Sequence, residues 1–197
     1  MRAIISLLVA LAVLVPTAAF AHPGHGPEIG LIAGFLHPMS GIDHILCMIS
    51  VGVFAAVLGG RALWLVPLSF VGMMAVGFLL GANGVALPFV ELAIGLSSVV
   101  IGAVAAWGKP MPVSAAMALV GAFAIFHGHA HGAEMPANAG GVQFALGFMA
   151  ATALLHVAGI AGAVGVTRLA GRYGRPLARI AGVAFAVGGI GVLAGWL

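Results

Sequence analysis

Six apolar stretches, at approximately 29–58, 62–81, 86–107, 111–132, 141–164 and 177–197, dominate the chain. Each is near or above the ~20 residues that an α-helix needs to cross a bilayer. With 63% hydrophobic and only 6% charged residues, the chain cannot present the charged surface of a soluble domain, where about 25% of residues are charged. The expected fold is therefore an all-α membrane protein, a compact bundle of six transmembrane helices whose surroundings are the lipid bilayer. The first stretch is too long for one straight span. Pro38 and Gly41 sit in its middle, so a kink or a break is expected there, with the freed backbone groups turned towards protein or a polar cavity.

Residues 1–21 read as a secretory signal, an uncleaved first transmembrane helix being the other reading. Arg2 supplies the positive start, Ile4 to Val15 the apolar core, and Ala19-Phe20-Ala21 a small-x-small cleavage site. Residues 22–197 then form a single six-helix domain, exported as in a bacterial cytoplasmic membrane. Loops rich in Lys and Arg stay on the cytoplasmic side. If the mature N-terminus lies outside, Arg61, Lys109, Arg168, Arg172, Arg175 and Arg179, all six basic residues beyond the signal, fall on that side. Both termini are then periplasmic. These cations are too few and too scattered for a nucleic-acid stripe. The lone Cys47 excludes an intrachain disulfide and reads as a buried thiol. No phosphate-loop motif is present, and no feature sets an oligomeric state. The small-xxx-small pairs Gly30/Gly34, Gly128/Gly132 and Gly191/Gly195 predict close helix contacts, with Gly128 and Gly132 expected to face the first helix.

Within this apolar background lie two histidine-bearing stretches. The first runs His37-Pro38-Met39-Ser40-Gly41-Ile42-Asp43-His44, the second His127-Gly128-His129-Ala130-His131-Gly132-Ala133-Glu134. Ionisable side chains in a membrane are costly, roughly 2.5–3.5 kcal/mol each on insertion scales, and usually mark a site or a pathway. On a continuous helix His37 and His44 lie within about 20° of one another, with Met48 extending that face, while Asp43 points about 120° away. Asp43 joins them only through a distortion near Pro38 or through a neighbouring helix. In the second stretch His127, His131 and Glu134 share a face, and His129 projects from the opposite side as the expected bystander. Imidazole, carboxylate and thioether together suit a late first-row divalent ion. Counted from the outer ends, Glu134 and His131 lie near the mouth, His127 and His37 deeper, and Asp43, His44 and His156 near the midplane. A graded series of this kind fits a path of several weak sites better than one closed shell. His156 and Glu91 are secondary candidates that also read as ordinary bundle groups. His22, with His25 and Glu28 in the exported tail, is a candidate first collector for a cation.

Residues His37 to Met48 resemble the HPxxGxDHxLxM signature of the HupE/UreJ family, and Phe126 to Glu134 resemble its FHGxAHGxE signature. With the leader, the six apolar stretches and the histidine-bearing start, the resemblance extends over essentially the whole chain. It implies a secondary permease for nickel, in some members cobalt, that supports hydrogenase or urease maturation. Carried over by position, it implies His37, Asp43, His44, His127, His131 and Glu134 as the functional residues.

The expected function is thus import of Ni2+, or Co2+, from periplasm to cytoplasm through an intramembrane His/Asp/Glu path. The divalent ion is cargo, no prosthetic group is expected, and no residue performs covalent chemistry. Two alternatives come from another class. A membrane-embedded hydrolase would use the histidines and Asp43 to hold Zn2+ and activate water, and an intramembrane protease would pair Ser40 with a histidine.

Overall fold

The computed structural model describes residues 27–137 and 139–197. The proposed signal, His22 and His25 lie outside the described residues. Among the described residues there are seven α-helices and no strand: α1 Pro27–Ser40, α2 Ile42–Leu58, α3 Ala62–Ala82, α4 Val90–Trp107, α5 Val113–Ala133, α6 Gly141–Leu169 and α7 Gly174–Leu193, with a 3₁₀ turn at Gly171–Tyr173 before α7. Five of them, α3 to α7, are long and apolar enough to cross a membrane, and α1 with α2 is apolar enough to make a sixth if the bent pair is one span.

That span breaks at Gly41, where the helix axis turns by 86°. A broken helix leaves orphan carbonyls on one side and orphan N–H groups on the other, and local side chains take several of them. Ser40 Oγ donates to the His37 carbonyl at 2.6 Å. The His44 N–H, an orphan donor at the start of α2, donates to Asp43 Oδ1 at 2.8 Å, and Ser98 Oγ, from α4, ties α4 to this turn by donating to the Asp43 carbonyl at 3.3 Å. The polar residues around the break thus perform for the backbone what water cannot do in lipid.

Behind the break α2 runs through the middle of the bundle, packed on α3, α4, α6 and α7. Cys47, Met48 and every residue from Ser50 to Ala55 are buried, as expected for a helix apolar on all sides. The outward faces of the other helices carry Leu68, Leu79, Leu146, Leu154, Ile180 and Val187 in exposed positions, a surface suited to lipid. Trp64 and Trp107 stand exposed near the basic end and Phe89 and Trp196 near the opposite one, the placement of an aromatic belt at each interface.

Glycines set which helices approach most closely. A Cβ on Gly128 or Gly132 would collide with the backbone of Met74 or Phe78, and one on Gly77 or Gly81 with that of Ile125 or His129. The Gly128/Gly132 pair therefore faces α3, and not the first helix as the sequence spacing led us to expect. This orientation leaves His127 and His131 free to face α1 and α2. Gly30 and Gly34 face α6. Gly191 meets only the Leu197 side chain, and Gly195, at φ +68°, lies beyond α7 in open space, so that pair makes no helix contact.

Helix ends also differ from the hydropathy estimate. The α4 helix begins at Val90 instead of 86, because Pro88 and the left-handed Phe89, φ 61°, hold the preceding chain out of helix. The α6 helix continues to Leu169, past the apolar stretch, because its last turns can end in Thr167 and Arg168 at the polar boundary.

Candidate functional site

Two ring-bearing elements meet in the bundle: the α1–α2 break and the C-terminal half of α5. Because the break turns the chain, His37 and His44 are not neighbours on one continuous face. They approach α5 from separate helices, and His131 lies between them. The His37 and His131 rings have centroids 5.0 Å apart, the His131 and His44 rings 4.9 Å, and the His44 and His127 rings 4.8 Å. At the outer end of this file His37 Nε2 lies 3.1 Å from Glu134 Oε2. At its inner end Phe70 touches both His127 and His156, at centroid distances of 5.7 and 5.1 Å. Side-chain exposure is 55% at Glu134, 34% at His37 and 14% at His44, so the outer end is the open one. His131, His127 and His156 are fully enclosed.

Hydrogen bonds decide which ring nitrogens have lone pairs to offer. Asp43 Oδ1 lies 3.0 Å from His44 Nδ1. A carboxylate only accepts, so Nδ1 carries the proton and Nε2 holds the lone pair. His127 is set in the same manner by a different group. Ser97 Oγ spends its hydrogen on the Ile94 carbonyl and lies 3.0 Å from His127 Nε2. That nitrogen is then the donor, and Nδ1 keeps the lone pair. His44 Nε2, His127 Nδ1, and both nitrogens of His131 and of His156 are buried and have no hydrogen-bond partner among the described residues, and the same holds for Nδ1 of His129, away from the file. Buried polar atoms are normally paired. Six of these seven nitrogens belong to His44, His127, His131 and His156, so most of the unpaired imidazole nitrogens lie in or beside the file.

The donor set fits a late first-row divalent ion. Two imidazoles on one ion, with metal–nitrogen bonds of about 2.0–2.1 Å, bring their centroids to roughly 5 Å, the separation found between His37 and His131, His131 and His44, and His44 and His127. Among the described residues, however, no three His, Cys, Asp or Glu side chains are grouped so as to hold a metal ion together. The arrangement is a succession of pairs.

The remaining candidates occupy other surroundings. His129 points away from the file, and its Nε2–H donates to the Val85 carbonyl at 2.7 Å, tying the end of α5 to the chain after α3. Met48 is buried in the apolar core. Glu91 stands exposed in the first turn of α4 and has no histidine bonded to it among the described residues. Ser40, the candidate nucleophile, donates to a backbone carbonyl of its own helix and to no ring nitrogen. Ser97 and Ser98 were not singled out from the sequence. The only hint of them was two adjacent hydroxyls inside an apolar run. Phe148, stacked on His131 at 4.7 Å, and Phe70 likewise read as ordinary core residues.

Comparison with known proteins agrees with the motifs. The HupE / UreJ protein family matches residues 9–192. Protein HupE of Rhizobium leguminosarum bv. viciae is 45% identical over 185 residues, covering 93% of this chain and 94% of that protein. No solved structure matches. With the match spanning nearly the whole bundle, including both histidine-bearing stretches, the chain belongs to the HupE/UreJ family.

Proposed function

We propose that the protein is a secondary permease that imports Ni2+ from the periplasm, by exchange of ligands along the file Glu134, His37, His131, His44 and His127, with His156 beyond Phe70 as the next acceptor. The observation that carries this reading is the set of buried, unpartnered imidazole nitrogens on rings at pairwise spacing, with no three-residue cluster among the described residues. Conduction needs binding strong enough to admit an ion and weak enough to release it. Two nitrogens per step, with the next ring about 5 Å on, meet both requirements, whereas a closed four-ligand shell would retain the ion.

Glu134 and His37 would attract the hydrated cation at the exposed end. His131, lying between His37 and His44, would take it from one to the other. Asp43 would hold the His44 ring and raise its basicity through Nδ1, as carboxylates behind metal-bound histidines do. Ser97 would fix the His127 ring in the complementary tautomer. The orientation follows from charge: Arg61, Lys109, Arg168, Arg172, Arg175 and Arg179 belong to the end opposite Glu134, and such residues favour the cytoplasmic side of an inner membrane. The glutamate mouth then faces the periplasm. Imidazole-rich sites suit nickel and cobalt alike, with nickel the cargo implied by the family resemblance.

Accumulation of radioactive nickel at trace concentration, in cells expressing the wild type or His44→Ala, tests this reading, with excess Co2+ as competitor. Loss of about tenfold or more in the variant is expected. Equal accumulation at equal protein levels would overturn the path. Complete suppression by far lower Co2+ than Ni2+ would reassign the cargo.

A further inference from the structure

A cavity of about 900 Å3 opens at the end of the bundle opposite Glu134, between α2, α4, α6 and α7. Lys109, Arg168, Arg175 and Arg179 line it, and no lining residue is acidic. These are four of the six basic residues beyond the leader. The carboxylates of Asp43, Glu91 and Glu134 belong to the break and to the far ends of α4 and α5, so they supply no counter-charge here. Arg168 and Arg175 make no side-chain hydrogen bond or ion pair among the described residues. Arg179 uses Nε on the Ala106 carbonyl and retains its terminal nitrogens, while the Lys109 amine sits over the Trp107 ring, 5.1 Å from its centroid. Arg175 also lies in the first turn of α7, against the positive end of the helix dipole, where cations are disfavoured and anions favoured.

Part of the lining is apolar. Ile180 and Val183 follow Arg175 and Arg179 along α7, line the cavity and are themselves exposed, 61% and 52%. The cavity therefore joins a cluster of uncompensated cations directly to a surface made for acyl chains. We infer that it binds the headgroup of an anionic phospholipid, with the phosphate among Arg168, Arg175, Arg179 and Lys109 and a chain along Ile180 and Val183. Basic pockets between transmembrane helices take lipid phosphates in this manner, and guanidinium groups match phosphate through paired N–H donors. This site stands apart from the histidine file and does not depend on the transport reading.

The test uses the full chain purified in a neutral detergent and supplemented with phosphatidylglycerol, phosphatidylcholine or inorganic phosphate. Retained lipid is read by native mass spectrometry. Phosphatidylglycerol is expected to remain bound in preference to phosphatidylcholine, and Arg168→Gln/Arg175→Gln to weaken it by about 10- to 30-fold. The equally discharged Arg61→Gln/Arg172→Gln, altered at basic residues outside the cavity, should retain wild-type binding. Equal losses in the two double variants, or no preference for the anionic lipid, would overturn the site. Displacement of the lipid by millimolar inorganic phosphate would overturn the lipid as occupant. Photo-crosslinking of phosphatidylglycerol to the unaltered protein gives a readout independent of variant folding. Adducts at the α4–α5 connection and the start of α7 are expected, and adducts only elsewhere would refute the assignment.

Discussion

Gly41 is the position at which the fold and the proposed chemistry separate most cleanly. Its backbone, φ −99° and ψ 120°, is extended and open to any residue, so alanine there introduces no backbone strain. The added Cβ would nevertheless stand 2.6 Å from Asp43 Oδ1 and 3.2 Å from His44 Nδ1. Ordinary contact begins at 3.4 Å, so the carboxylate must retreat by about 0.8 Å. Its two hydrogen bonds, 2.8 Å to the His44 N–H and 3.0 Å to Nδ1, cannot both survive such a shift. Loss of a hydrogen bond to a charged group is worth about 1.5–3 kcal/mol, or roughly 10- to 150-fold in an equilibrium constant. Gly41→Ala should therefore fold and reach the membrane in normal amount, yet lower the initial rate of nickel uptake at trace metal by at least tenfold, with partial recovery at high nickel. The control is Gly72→Ala, where a Cβ meets nothing within 4 Å and uptake should be unchanged. Wild-type uptake by Gly41→Ala would refute the claim that the Asp43–His44 pair sets the path.

Three further substitutions probe other parts of the account. Ser97→Ala removes the acceptor for His127 Nε2 and releases the tautomer. Uptake should show a raised KM, by about tenfold, with little change in protein level, whereas Ser98→Ala, which loses only a 3.3 Å bond to the Asp43 carbonyl, should have a smaller effect in the same assay. His131→Phe keeps the stacking on Phe148 and removes two buried, unpaired nitrogens. Since an unsatisfied buried group costs about 1–3 kcal/mol, thermal unfolding in detergent should show an unchanged or raised Tm while uptake is abolished. Gly128→Ala drives a Cβ into the Met74 carbonyl at the α3–α5 contact; loss of folded protein on size-exclusion chromatography, by an amount equivalent to about 3 kcal/mol or more, is expected.

Much of the architecture was readable because lipid permits few solutions. Apolar length located the five long helices and the bent α1–α2 pair, and Pro38 with Gly41 marked the break. Helix-wheel geometry was less informative at the site, because it assumes a straight axis. It set Asp43 about 120° from His37, whereas the 86° turn makes that angle irrelevant and directs Asp43 onto His44. The Gly128/Gly132 spacing announced a close helix contact without naming the partner, since two glycines carry no information on which backbone approaches them. Ser97 reaches His127 across thirty positions of sequence, a distance over which no local pattern connects them. Residues that bear a costly group, Asp43 among them, were visible from the sequence; the neutral Ser97 that orients His127 emerged only from packing.

Flux of nickel into liposomes containing the purified protein, followed with a metal-sensitive dye trapped inside, tests the central claim most directly. The account predicts a saturable signal for the wild type that falls to the level of protein-free liposomes for His127→Ala. Undiminished flux through correctly folded His127→Ala, or no flux through the wild type, would contradict it.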